Sequence, residues 1–328
     1  MKTAIKTLII VALLCVVADG LYRFLFWPHD RVAYSGPLVA LVDKIDSTGA
    51  DIIYLGESSN HTFGWYDSDT AWISQMVARH FPSLRVADMT HDASHGEVYY
   101  QLLRNLDTEC NISTVVVTMN LRSFGVGWIY SPLETALQKR LVMLQQRPPL
   151  VNRAVLSFKA YDIKSEGERY AQMDRYWADH PLPGHPSVPR WADSLAGDNN
   201  MAGIFIRNFA FLIDTLNNPR VHDFDRIVHL SRQRGWNLVF NLLPEDIQLA
   251  DSLVGTDLTA LMKTNATLLE QRYTRRGVVV VNNLETVPDS LFRDRDWTTE
   301  HFLLQGRQTV ADNVSKALSS FFPDQYCP

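Results

Sequence analysis

The chain has 328 residues, 46% of them hydrophobic and 20% charged, and a formal net charge of −5. This is the make-up of an ordinary globular protein with room for one large domain or two small ones. No basic stripe is present to replace counterions, so no nucleic-acid partner is expected, and three cysteines are too few for a disulfide scaffold.

The N-terminus has its own character. Lys2 and Lys6 precede an apolar run from Leu8 to Ala18, the basic and apolar regions of a secretory signal. Val16 and Ala18 would allow cleavage before Asp19. The run resumes with Leu21, Tyr22, Phe24, Leu25, Phe26 and Trp27, long enough in total to span a bilayer with an aromatic end at the headgroups. Asp19 in the middle speaks against a span. A cleaved signal and an uncleaved membrane anchor, covering residues 1–27, therefore both stay open. Either one exports residues 28–328, to the periplasm or another extracytoplasmic side, membrane-anchored or secreted. Cys110 and Cys327 either pair in such a compartment or remain free thiols.

Five apolar runs follow in order: Asp51–Leu55, Leu84–Met89, Thr114–Met119, Asn237–Leu242 and Gly277–Asn282. Their near-continuous Val, Ile, Leu and Phe predict strands covered on both faces. Helical faces alternate with them, marked by Trp72, Met76 and Val77, then by Val98, Leu102, Leu103 and Leu106. Later faces are Leu258–Leu269 and Leu304–Leu318. This alternation predicts an α/β fold with a parallel sheet and helices on both sides. Residues 122–222 break the rhythm. They are aromatic, hold the proline clusters Pro148–Pro149 and Pro181–Pro189, and show helical periodicity near Leu133–Leu144 and Ile204–Leu216. They read as a mainly helical insertion after strand 3, folded over the C-terminal edge of the sheet, where open α/β sheets build ligand sites.

Four residues at that edge carry possible chemistry. Ser58, in Gly56-Glu57-Ser58, follows the first strand at a tight turn. It suits a nucleophile whose neighbouring N–H groups hold an oxyanion, or else it caps a helix. Gly96 opens the helix after strand 2, either offering its N–H to a substrate or serving the turn alone. Asn120 closes strand 3 and can donate its amide to the same oxyanion, or form an Asx turn. His301 stands just before the last helix, within reach of Ser58 as a base, or else as one of ten histidines facing solvent.

The order of these residues resembles the SGNH/GDSL hydrolase family, whose blocks begin with Gly-Asp-Ser, Gly, Gly-x-Asn-Asp and Asp-x-x-His. Here they stand as Gly56-Glu57-Ser58, Gly96, Thr118-Met119-Asn120-Leu121 and Thr298-Thr299-Glu300-His301. The resemblance extends from about Asp51 to Phe322. Asn241-Leu242-Leu243-Pro244 and the Gly306-Arg307 step into the last helix share it. It implies a flavodoxin-like three-layer α/β/α sandwich with a five-stranded parallel sheet, and ester or acyl-transfer chemistry. Ser58 would be the nucleophile and His301 the base, with Ser58, Gly96 and Asn120 forming the oxyanion hole.

Several positions depart from the pattern. Glu57 replaces an aspartate, Leu121 replaces the second residue of the Asn-Asp pair, and Thr298 stands where the family places the aspartate that orients the histidine. Without a carboxylate the imidazole loses tautomer control and charge stabilisation. Glu300 and Asp296 are the nearby substitutes, Glu300 slightly favoured; a backbone carbonyl is a third option. The expected function is an exported serine esterase or O-acyltransferase. Its substrate would be an acylated small molecule or polysaccharide, above all a cell-envelope glycan. The alternative is a non-catalytic SGNH-like protein that binds a glycan or an envelope partner. No cofactor or metal is expected, because no His-x-x-x-His or His-Glu pair falls on a predicted helix.

Overall fold

The apolar runs become five parallel strands, in a computed structural model that describes residues 2–129, 131–161 and 201–328. They are β1 (Ile52–Gly56), β2 (Val86–Thr90), β3 (Thr114–Met119), β4 (Asn237–Leu242) and β5 (Val279–Asn282). Their spatial order is β2-β1-β3-β4-β5, a doubly wound sheet whose chain direction reverses beside β1. Registers such as Gly56 opposite Thr90 and Met119 opposite Leu242 bring the strand ends to a common edge. Period-2 alternation feeds two cores. Ile53 and Leu55 point into one cluster, Ile52 and Tyr54 into the other. The resulting three layers are the flavodoxin-like sandwich that the sequence predicts.

The first core is closed by α2 (Trp27–Thr48), α5 (Gly96–Asn105), α10 (Pro219–Arg234) and α12 (Thr256–Thr274). The second is closed by α4 (Ile73–Arg79) and α13 (Leu304–Leu318). Strands β2 and β5 start two residues later than the apolar runs suggest. At β5 the cause is Gly277, which takes φ +74° as the chain turns out of α12, while Val278 still donates to Tyr273.

The insertion divides. Its helix α7 (Pro132–Val142) lies over α2 and α5, with Gln138 donating to Glu97 at 2.5 Å and Asn105 donating to the Leu144 carbonyl at 2.9 Å. This stretch covers a face of the helical layer, not the strand ends as expected. Helix α9 (Met201–Phe209) does reach the C-terminal edge. It stops short of the predicted Leu216 because the Asn265 side chain captures the backbone, taking the Ile213 N–H at 2.9 Å and donating to the Phe211 carbonyl at 2.6 Å. Pro181–Pro189 lies outside the described residues.

At the N-terminus α1 (Lys2–Leu25) is long and apolar enough to cross a membrane, and an 18-residue window within it has a mean hydropathy of 2.3. No residue of that window is buried. Helix α2 follows directly and bends at Gly36, where φ is +35°. Beyond the bend Leu38, Val39, Val42 and Ile45 enter the core. Cys15, Cys110 and Cys327 are free thiols, with Cys110 beside Asp46 and the Cys327 N–H on the His80 carbonyl.

One tight point at the strand ends is Gly56. A Cβ there would lie 2.7 Å from both Asn60 Cβ and Thr90 Oγ1. Overpacking of this kind costs about 1–3 kcal/mol. Gly56→Ala should therefore lower the urea midpoint by a corresponding amount, and an unchanged midpoint would show that β1 and β2 can separate without cost.

Candidate active site

Ser58 is the first residue of α3 (Ser58–His61), two residues past the end of β1. Glu57 caps this short helix, its Oε1 accepting the Ser59 N–H at 3.1 Å. Below it Asn60 is wholly buried and fixes the turn. Its amide donates to Asp88 and Thr90 at 2.7 Å and to Ser74 at 3.0 Å, and its carbonyl accepts the Ser74 N–H at 2.8 Å. Such a satisfied buried network holds one backbone geometry. The side chain of Ser58 points to where a partner from another loop can meet it.

That partner is His301. Its Nε2 lies 2.9 Å from Ser58 Oγ, and its Nδ1 lies 2.6 Å from Asp294 Oδ2. The same carboxylate accepts the Thr299 hydroxyl at 2.6 Å. Burial would raise the Asp294 carboxyl, but hydrogen bonds from Thr299 and His301 outweigh it and hold the group below the ordinary aspartate value. Asp294 is seven residues before His301 and still reaches its ring because the chain doubles back. Phe292 and Phe302 form an antiparallel bridge, Arg293 donates to the His301 carbonyl, and Leu303 donates to the Leu291 carbonyl, both at 2.8 Å.

Neither expected acid holds the ring. Asp296 is exposed, two residues past the carboxylate that does the holding. Glu300 has no exposure at all and pairs with Arg122 Nη2 at 2.7 Å. Neighbouring residues of an extended chain point to opposite sides, so Glu300 faces inward when His301 faces Ser58. Thr298, at the family's aspartate position, is buried and accepts a hydrogen bond from Asn208 of α9 at 2.5 Å.

Gly96 and Asn120 have structural duties of their own. A Cβ on Gly96 would lie 2.9 Å from Asp223 Cβ, so glycine lets α5 approach α10. Asn120 ends β3 and starts a turn, its carbonyl accepting the Ser123 hydroxyl at 2.7 Å. Its side chain stands near Glu300 and favours the ionised form of that carboxyl.

Sequence reasoning does not find the cluster beneath the nucleophile. Glu57, Glu245 and Glu300 are all buried at the strand ends with one guanidinium, Arg122, among them. Burial, then the charge of Glu300, raises the Glu245 carboxyl well above its ordinary value. Burial pushes Glu300 up to about 7 against the opposing attraction of Arg122. The folded chain thus holds protons that the unfolded chain releases. The associated stability is fully present below pH 4.5 and is lost as pH rises toward 7. Melting temperature should fall across that window, and Glu300→Gln should flatten the fall; an unchanged slope in the variant would mean that Glu300 is ionised throughout.

No family model matches this sequence, and no curated protein matches it. Several solved structures resemble it. One, described as a carbohydrate acetylesterase family member from Sinorhizobium meliloti, has 9% identity and a TM-score of 0.40, over 83% of this chain and 99% of its own. An extracellular lipase from Streptomyces rimosus has 12% identity and a TM-score of 0.40, over 82% and 99%. A phospholipase A1 from Streptomyces albidoflavus has 12% identity and a TM-score of 0.40, over 83% and 99%.

Proposed function

We propose that this chain is a membrane-anchored serine hydrolase or O-acyltransferase of the SGNH type, with Ser58, His301 and Asp294 as its triad. The observation that carries this reading is the unbroken chain of contacts from Ser58 Oγ through both nitrogens of His301 to Asp294, at 2.9 and 2.6 Å. Asp294 keeps the proton on Nδ1, which leaves the Nε2 lone pair facing the hydroxyl. Ser58 Oγ attacks the acyl carbonyl while His301 takes its proton. The Ser58 and Gly96 N–H groups and the Asn120 amide receive the developing oxyanion. His301 returns the proton to the departing alkoxide. Water or a sugar hydroxyl, deprotonated by the same nitrogen, then releases the acyl group. The best support for the non-catalytic, glycan-binding alternative is the missing aspartate at Thr298, and Asp294 on the His301 ring favours the catalytic reading.

A cell-envelope glycan fits the surroundings of the nucleophile. The loop after α3 presents Phe63, Trp65 and Tyr66, with Trp65 and Tyr66 almost fully exposed, and Trp297 is exposed on the loop that bears Asp294. The first loop is braced beside His301. Asp67 accepts the Leu304 N–H at 3.1 Å and the Arg307 guanidinium at 2.9 Å, and Arg307 also donates to the carbonyls of Asp69 and Ala71. Rigid exposed rings offer stacking faces at little entropic cost. Retention of the N-terminal segment is supported by the contacts that α1 makes with the body of the chain at α8 (Pro149–Tyr161). Asp19, the obstacle to a span, accepts the Leu150 N–H at 2.9 Å where α8 begins, and pairs with Arg23 at 2.8 Å.

Three experiments test this reading. With a fluorophosphonate probe, the unmutated protein should be labelled and Ser58→Ala should not. With a small acyl ester, Asp294→Asn should lower kcat by about 10⁴, as in other triads, while Asp296→Asn should match the unmutated protein. Full activity in Asp294→Asn would remove that residue from the mechanism. On an acetylated polysaccharide, the double variant Trp65→Ala/Tyr66→Ala should raise KM severalfold yet leave small-ester turnover unchanged. An equal effect on both substrates would count against a sugar platform.

A further inference from the structure

We infer that Glu57 is a positioning residue that holds the Ser58 hydroxyl proton away from His301 in the resting protein, a role that rests on the triad reading above. Ser58 Oγ is 2.8 Å from Glu57 Oε2 and 2.9 Å from His301 Nε2. The hydroxyl has one proton and here meets two acceptors. One is a carboxylate oxygen; the other is the imidazole lone pair left when Nδ1–H donates to Asp294. A hydrogen bond to a charged acceptor is the stronger of the two, so the resting proton points at Glu57.

The Glu57 carboxylate is not free to turn away. Its Oε1 is fixed by the Ser59 N–H at 3.1 Å. The residue is only 3% exposed, so bulk water cannot take over from the serine. Glu245 and Glu300 lie beside it, Tyr54 and Tyr99 lie within its field, and Arg122 is the cation among these groups. Attack therefore begins with a rotation about the Ser58 Cβ–Oγ bond. The O–H leaves Oε2 and turns to Nε2. The proton then passes to His301 as the Oγ–acyl bond forms, and the carboxylate keeps its charge throughout.

The geometry makes one substitution informative. In Glu57→Gln the carbonyl oxygen remains on the Ser59 N–H, since only an acceptor satisfies that donor. The amide nitrogen then faces Ser58 Oγ and donates to it. The hydroxyl is left with His301 as its acceptor. In Glu57→Asp the shorter carboxylate keeps the helix cap and withdraws from Oγ. Both variants should be labelled at Ser58 by a fluorophosphonate several times faster than the unmutated full-length protein, with kcat on a small acyl ester rising and KM unchanged. Glu57→Ala, which loses the cap as well, should melt lower.

A purely structural Glu57 predicts slower labelling in every variant, in step with lost stability. Labelling in both Gln and Asp variants that is equal to or slower than the unmutated protein would overturn the inference. Labelling of the unmutated protein with Ser58→Ala as a blank separates that outcome from failure of the triad reading. If the unmutated protein and both variants all resist the probe, the triad reading fails and this inference fails with it.

Discussion

A single guanidinium stands among three buried carboxyl groups at the C-terminal edge of the sheet, and the loops that carry Ser58 and His301 are gathered around that imbalance. Arg122 follows β3, Glu57 follows β1, Glu245 follows β4 and Glu300 precedes α13. Each comes from a separate crossover. Charges in a poorly solvated interior interact far more strongly than in water, and Glu300 claims Arg122 at 2.7 Å. That pair ties the loop of His301 to the end of the central strand. Removing one partner of such a pair typically costs about 3–5 kcal/mol, because the other charge is left buried and alone. The surplus acidity is relieved by protons, with Glu245 and Glu300 both raised above their ordinary values. Ser58 thus sits on an acidic floor, unlike the exposed loops around it.

Much of the scaffold was legible because parallel strands covered on both faces must be apolar at nearly every position. β3 and β4 have the predicted limits, and the faces marked by Val98 and Leu102 or by Val310 and Val314 became buried helices. The strand order was not in the runs themselves; it came from the resemblance of the sequence blocks. The end of α9 was illegible for another reason. Periodicity continues to Leu216, but a side chain from α12, Asn265, offers the backbone better partners than the next helical turn does.

At the site, Ser58 and His301 could be found because strand ends and helix starts are fixed points of an α/β fold. Asp294 could not. A bridge between Phe292 and Phe302 brings it back to the ring, and two aromatic residues ten positions apart give no sign of pairing in a sequence. Reading by distance along the chain favoured Glu300. The alternation of an extended segment sends that residue the other way, into the pair with Arg122. Arg122 entered the sequence reading only as the first residue of the insertion. Its burial depends on Glu300, 178 positions away.

The hydrogen bond from Asn208 to Thr298 gives the insertion a standing that its place in the chain conceals. A segment inserted between β3 and β4 invites removal, as a cassette whose ends could be joined by a short linker. Here it braces the loop that presents Asp294, through Thr298, the residue that accepts the Asn208 amide. A minimal version of this protein cannot be cut at the insertion's borders without loosening that loop. What was added to the fold has become a support for the loop of Asp294 and His301.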